Sequence, residues 1–248
     1  MYFALFSVLA CLSISHGLTE ENDGKENHCG LLKQLLESSV VSMEVRKNGF
    51  HRELEASVDL RTDDLRGVRV LLVHRLPRGV YVDPYQLASL RDQSEWEILI
   101  DSAIDLELPA HKTTGFVTHV YPSTDGTTPR LLKVTLPIHA RYHEPSFDGK
   151  TVTSIKIDPP ELLLRTEKCT KPNRSESLIV VDAPCTPKNS STCAWLKLRP
   201  QQEHGPVGLQ VPVGDGSLVT PVCAGTLLVT MICCVGLSKY MWKHRIKQ

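Results

Sequence analysis

The densest run of groups able to do chemistry is His139-Ala-Arg-Tyr-His143-Glu144. Histidines four residues apart can grip one zinc ion when both lie on one face of a helix. Here the preceding residues 132–137 have the composition of a strand. In a strand, residues four apart stand ~13 Å from each other, too far for ~2 Å zinc–nitrogen bonds to meet. Pro137 and Pro145 oppose a helix as well. The stretch is expected to be a polar strand end whose Arg and His hydrogen-bond inside the fold or to a partner.

A search for other chemistry yields little. There is no Ser in a G-x-S-x-G elbow and no glycine-rich phosphate loop, so neither a hydrolase elbow nor a nucleotide cofactor is indicated. Asp83, Asp101, Asp105 and Glu107 supply carboxylates, but nothing singles out a pair. Asp83 before Pro84 reads as a helix cap. Of the eight cysteines, Cys11 falls in an N-terminal apolar run, and Cys223, Cys233 and Cys234 in a C-terminal one. Cys29, Cys169, Cys185 and Cys193 remain; their even number predicts two disulfides, with three connectivities open. Zinc would need paired C-x2-C spacing, which is absent. No metal and no cofactor is expected.

The elements that must position these side chains are mostly strands. Leu54, Ala56, Val58 and Leu60 alternate with Glu53, Glu55, Ser57, Asp59 and Arg61, giving one dry and one wet face. Residues 68–74 form a continuous apolar run suited to a central strand, and 79–82 a short extended piece. Asp83-Pro84 then starts a helix of one or two turns to Leu90. Alternation at Trp96, Ile98 and Ile100, and again at Ile104, Leu106 and Leu108, predicts further strands. Residues 116–121, 132–138, 155–157, 162–164 and 178–181 add more, around a turn-rich stretch at 122–129. The expected fold is mainly β, an antiparallel β-sandwich-like domain over residues 45–198. Residues 18–44 read as a leader in which Leu31, Leu32, Leu35 and Leu36 have helical spacing. Residues 199–217, rich in Pro, Gly and Gln, read as a stalk.

Both ends of the chain carry membrane signals. No charge lies between Asp215 and Lys239, and residues 218–238 are predicted to form one transmembrane helix. Thr220 is its expected cap and Pro221 its first residue. From Pro221 to Ser238 it would measure ~27 Å, close to a thin bilayer. Tyr240 and Trp242 sit where interfacial rings anchor, and Lys239, Lys243, Arg245 and Lys247 mark residues 239–248 as a cytoplasmic tail. Thr226, Thr230, Cys233 and Cys234, with Gly225, gather small side chains towards one side of the helix, the face where a partner helix would pack. Residues 1–17 read as a signal peptide, with Ser15-His16-Gly17 as cleavage site. The chain is thus expected to be a single-pass type I protein with residues 18–217 lumenal or exterior. Asn173 and Asn189 begin glycosylation sequons. Formal charges cancel at 28 against 28; without the tail they stand at 24 against 28, which offers nucleic acid no electrostatic footprint.

Several stretches resemble the phosphatidylinositol-glycan class X (PIG-X) family. They are Gly49-Phe-His-Arg52, Leu76-Pro-Arg-Gly-Val-Tyr-Val-Asp-Pro-Tyr-Gln-Leu87, Leu136-Pro-Ile-His-Ala-Arg-Tyr-His-Glu-Pro145 and Pro159-Pro-Glu-Leu-Leu163. Ala183-Pro-Cys185, Cys193-Ala-Trp195 and Leu209-Gln-Val-Pro-Val-Gly214 fit as well. The resemblance implies a non-catalytic subunit of glycosylphosphatidylinositol (GPI) mannosyltransferase I in the endoplasmic reticulum (ER) membrane. Its implied partner is the multi-span catalytic subunit PIG-M, which adds the first mannose from dolichol-phosphate-mannose. Candidate partner contacts are Tyr81, Asp83, Tyr85, Arg141, Tyr142 and His143 in the domain, and Thr226 and Thr230 in the helix. The alternative reading is a glycosylated cell-surface adhesion or receptor ectodomain.

Overall fold

The computed structural model describes residues 29–61, 67–90, 94–123, 130–169, 178–198 and 205–245. The signal-peptide stretch and Asn173 lie outside them. A helix over residues 29–38 (α1) comes first and buries Leu32, Leu35 and Leu36, so their helical spacing is real and Leu31 alone of the four is exposed. The following β1 (Val40–Arg46) lies in what reads as leader. Its alternation is softer: Val41, Met43 and Val45 are only partly buried, because β1 is a sheet edge.

β1 pairs with β2 (His51–Asp59), β2 with β7 (Leu131–Ala140), and β7 with the two-residue β4 (Val80–Tyr81), all antiparallel. The second sheet has the order β10-β11-β9-β3-β6-β5. Its members are β3 (Val68–Leu76), β5 (Trp96–Ile100), β6 (Phe116–Pro122), β9 (Glu161–Thr166), β10 (Leu178–Thr186) and β11 (Asn189–Leu198). A two-stranded ribbon joins β8 (Val152–Ile157) to β12 (Val207–Pro212). The inner faces of all three contribute to one core: Leu54, Val58, Leu136 and Ile138 from the first, Val70, Leu72, Val120 and Leu164 from the second, Ile157 and Leu209 from the ribbon. The expected mainly β, antiparallel architecture is what the chain adopts.

A smaller core lies on the outer face of the six-stranded sheet, where Trp195 covers Leu71, Val73 and Leu163. The β10–β11 hairpin is held there by Tyr121, whose hydroxyl donates to Pro184 O over 2.8 Å, and by a Lys188–Glu97 ion pair at 3.3 Å. The disulfides are Cys29–Cys169, which ties α1 to the end of β9, and Cys185–Cys193, which staples that hairpin.

Three expectations change. Ile104, Leu106 and Leu108 form no strand; Asp105 Oδ1 accepts from Glu107 N at 2.9 Å, a local turn that outcompetes a ladder, and a 3₁₀ turn, Ala110–Lys112, follows. The stretch read as a stalk contains β12, in which Leu209 and Val211 are fully buried while Gly208, Gln210 and Pro212 point away from the core or lie at its rim. The apolar helix (α3, Val219–Arg245) starts earlier than Thr220 suggests, out of a 3₁₀ turn, Gly216–Leu218, whose cap is Asp215 accepting from Ser217 N at 2.9 Å. It also runs on through most of the basic tail, which lacks any helix breaker. At 27 residues it is ~40 Å long, enough to cross a bilayer, and none of its side chains is buried.

Candidate functional site

The register of the first sheet builds the candidate surface. His139, the penultimate residue of β7, lies opposite His51 of β2 on one side and Tyr81 of β4 on the other. All three project from the outer face, since Ile138 and Ala140 of β7 and Val80 of β4 point inward and are buried. The His51 and His139 rings meet edge to face at 4.6 Å, and Tyr81 stacks on His139 at 5.0 Å. His139 Nε2 lies 2.8 Å from Gln86 Oε1 of α2 (Pro84–Leu90), so this side of the ring carries the proton. Burial, the nearby His51 and, in the opposite sense, Asp83 leave its pKa below the ordinary histidine value.

Asp83 does what its place before Pro84 indicates: Oδ1 accepts from Tyr85 N at 2.8 Å and caps α2. Tyr85, on the first turn, is 80% exposed. Arg141 is the surprise, being only 4% exposed. Its backbone N–H donates to Gly79 O, its Nη1 to Leu108 O at 2.6 Å, and its Cζ lies 4.7 Å from the Tyr81 ring centroid. Burial lowers its pKa from the usual guanidinium range, opposed by Tyr81 and Asp105. It is a clamp between the end of β7 and the 104–108 loop, not a group presented outward. Tyr142 is 73% exposed, with its ring 4.9 Å from that of Phe50. His143 turns the other way, its Nε2 buried beside Gly79 with no hydrogen-bond partner among the described residues. Burial, Arg78 and His111 all lower its pKa.

The two histidines of the opening motif therefore serve different places, His139 a ring stack and His143 a groove of about 340 Å³. Among the described residues no three His, Cys, Asp or Glu side chains gather as metal ligands would. Another concavity, of about 690 Å³, opens beneath the tip of the β10–β11 hairpin between Arg69, Glu97, Lys168 and Lys188. It holds charges of both signs. What the first sheet offers instead is a surface of two exposed tyrosines framed by rings, suited to contact. Phe50, His51 and Gln86 belong to it and escape sequence reasoning, because the β2–β7 register brings the first two there and the packing of α2 beside His139 brings the third.

In α3 the hydroxyls of Thr226 and Thr230 fold back on their own helix. Thr226 Oγ1 donates to the carbonyl oxygens of Val222 and Cys223 at 3.0 and 2.9 Å, and Thr230 Oγ1 to Thr226 O at 2.7 Å. Both remain on the open surface as small groups, with their donors already used. Asn189 opens β11 directly after the hairpin turn.

Comparison with known proteins gives the chain its place. Residues 47–242 match the family described as PIG-X / PBN1. A human protein named "GPI alpha-1,4-mannosyltransferase I, stabilizing subunit" is 33% identical over 82% of this chain and 79% of its own length. A rat protein of the same name is 32% identical over 78% of each. Protein PBN1 of Yarrowia lipolytica is 33% identical over 36% of this chain and 19% of its own length. The chain belongs to the PIG-X / PBN1 family.

Proposed function

We propose that this chain is a non-catalytic stabilising subunit of GPI mannosyltransferase I. It is held in the ER membrane by α3, with its β domain in the lumen, and binds the catalytic subunit PIG-M. The observation that carries the reading is the match, over 82% of the chain, to a relative named as that stabilising subunit. Two disulfides within the domain agree with an oxidising lumen.

The physical mechanism is linkage. A subunit that binds the folded catalytic chain and not its unfolded form stabilises it, by about 2.7 kcal/mol at a free concentration of a hundred times Kd. The contact is assigned to the first-sheet surface, with Tyr85 and Tyr142 outermost, Tyr81 and Asp83 behind them, and Arg141 bracing the set, whereas His143 faces its own groove and is left out of it. In the bilayer it is assigned to the Thr226–Thr230 side of α3. Its small groups allow close helix approach through packing, since the hydroxyl donors are engaged.

Depleting this chain from cells should lower the amount of the catalytic subunit, and re-expression should restore it. Unchanged levels of that subunit after complete loss would overturn the proposal. Glycans at Asn173 or Asn189 that stay sensitive to endoglycosidase H place the protein in the ER; resistant ones favour a cell-surface ectodomain.

A further inference from the structure

The residues leading into α3 are clipped to the domain. Ser146 N donates to Gly214 O at 2.8 Å, Gly216 N donates to Ser146 O at 2.7 Å, and Ser146 forms a parallel bridge with Asp215. The loop that follows Ala140 is thereby fixed beside the start of the membrane helix. Phe147 lies on the backbone of Gly216, where a Cβ would fall 2.6 Å from its ring. The ring's other side is open, leaving Phe147 80% exposed. Val152, also exposed, lies opposite Pro212 on the same edge, and exposed Leu218 and Val219 continue the apolar surface into α3.

Chain geometry sets the height of this edge. Gly216 precedes Val219 by a single 3₁₀ turn, which rises ~6 Å. The polar layer on each side of a ~30 Å hydrocarbon core is ~5–7 Å deep. With the hydrocarbon beginning at Val219, Phe147 falls within that layer, where aromatic rings concentrate. Charge then selects the lipid. The groove behind Phe147 is lined by Arg78 and Lys150 against Glu144 and Asp148, with Lys150 Nζ 2.6 Å from Asp148 Oδ2. These charges balance, so nothing here favours an anionic surface.

We propose that this edge of the β domain rests in the headgroup layer of the adjoining leaflet, with Phe147 and Val152 against the acyl–headgroup boundary of zwitterionic phospholipid. The inference depends on α3 crossing the bilayer and not on the identity of any partner. Seating the ring holds the domain down on the membrane and limits its tilt about the short connection to α3.

The test uses the full chain in phosphatidylcholine nanodiscs, carrying Phe147→Trp in a Trp242→Phe background. The remaining indoles, Trp96 and Trp195, are buried. Lipid brominated at a shallow acyl position is expected to quench the emission contributed by residue 147 roughly two-fold. The control, Leu131→Trp at the far end of β7, lies ~30 Å along the strand and should stay unquenched. Adding phosphatidylserine should change neither result. Insensitivity of both positions to brominated lipid overturns the proposal, as does quenching that requires anionic lipid. Shielding of residue 147 from acrylamide only after purified catalytic subunit is added would assign the ring to a protein contact and equally overturn it.

Discussion

Acidification should weaken this fold, and His74→Leu should remove most of that dependence. His74 lies on the inner face of β3, opposite Thr118 of β6, and is 1% exposed. Among the described residues neither of its ring nitrogens nor Thr118 Oγ1 has a hydrogen-bond partner. Burial alone lowers its pKa from 6.5 to about 4. The folded chain therefore keeps the ring neutral down to about pH 4, whereas the unfolded chain takes up a proton near 6.5. Between those values the unfolded state binds more protons, so stability falls as pH drops through the window, with no contribution above it. The loss reaches about 2 kcal/mol at pH 5 and about 3 kcal/mol below pH 4. His119, His139 and His143 are shifted the same way and add to the slope. Glu161, lowered overall by Lys197 and Arg75 against its own burial, acts only in the more acidic carboxylate range. Leucine has nearly the volume of histidine and no proton to bind. Denaturation of the full chain in mild detergent, followed by fluorescence of the buried Trp195, measures the effect. Relative to wild type, His74→Leu should gain about 2 kcal/mol between pH 7.5 and pH 5. Parallel loss of stability in the two proteins across that range would refute a buried neutral His74.

The remaining predictions bear on the clamps and the contact surface. Opening Cys29–Cys169 with Cys29→Ser frees a closure of 140 residues and should cost up to about 5 kcal/mol in the chain-entropy picture, against about 2.5 kcal/mol for Cys185–Cys193 with its separation of 8. The order of the two melting temperatures checks the ranking. Leu209→Ala, removing a fully buried side chain of β12, should cost about 2–5 kcal/mol, read as a fall in unfolding midpoint. An unchanged midpoint would mean that β12 is not part of the core. Arg141→Ala should destabilise the domain by about 1–3 kcal/mol by stranding Leu108 O, and Arg141→Lys should not restore it, lacking the planar guanidinium that lies over the Tyr81 ring. Tyr85→Ala with Tyr142→Ala should leave the melting temperature unchanged but weaken co-purification of the catalytic subunit roughly ten-fold or more. Intact co-purification would make that surface merely structural.

Strands with a sharp dry–wet alternation, such as β2, or with a continuous apolar run, such as β3, are legible because burial of one or both faces is written locally. β12 is not, because Pro206, Gly208, Pro212 and Gly214 give it the composition of a linker. Only the facing β8 supplies ladder partners that make Leu209 and Val211 a buried pair. The Ile104–Leu108 alternation misleads for the converse reason: its apolar side chains are half-buried in a loop in which Asp105 satisfies the backbone locally. The contact surface divides similarly. Asp83 as a cap and Tyr85 on the turn it starts follow from adjacent residues, whereas the burial of Arg141 depends on a carbonyl 33 residues away. The cysteines left three pairings open for the same reason, and the structure selects one in which a helix from the leader is stapled to the end of a distant strand.

The loss of the expected stalk changes how an accessory subunit of this shape would hold its partner. A flexible tether of about 19 residues would let the domain wander over a root-mean-square distance of ~25 Å from its helix. Instead six residues separate Pro212 from Val219, and the main chain at Gly214 and Gly216 is hydrogen-bonded to Ser146. The two proposed contacts, one through Tyr85 and Tyr142 and one through the small side chains of α3, would then be held at nearly fixed separation. Once one is made, the other forms at high effective concentration, provided the partner presents matching sites. Shortening of that search is why neither surface needs to be large, and why lengthening the connection between Pro212 and Val219 with flexible residues should weaken the complex without removing a single contact.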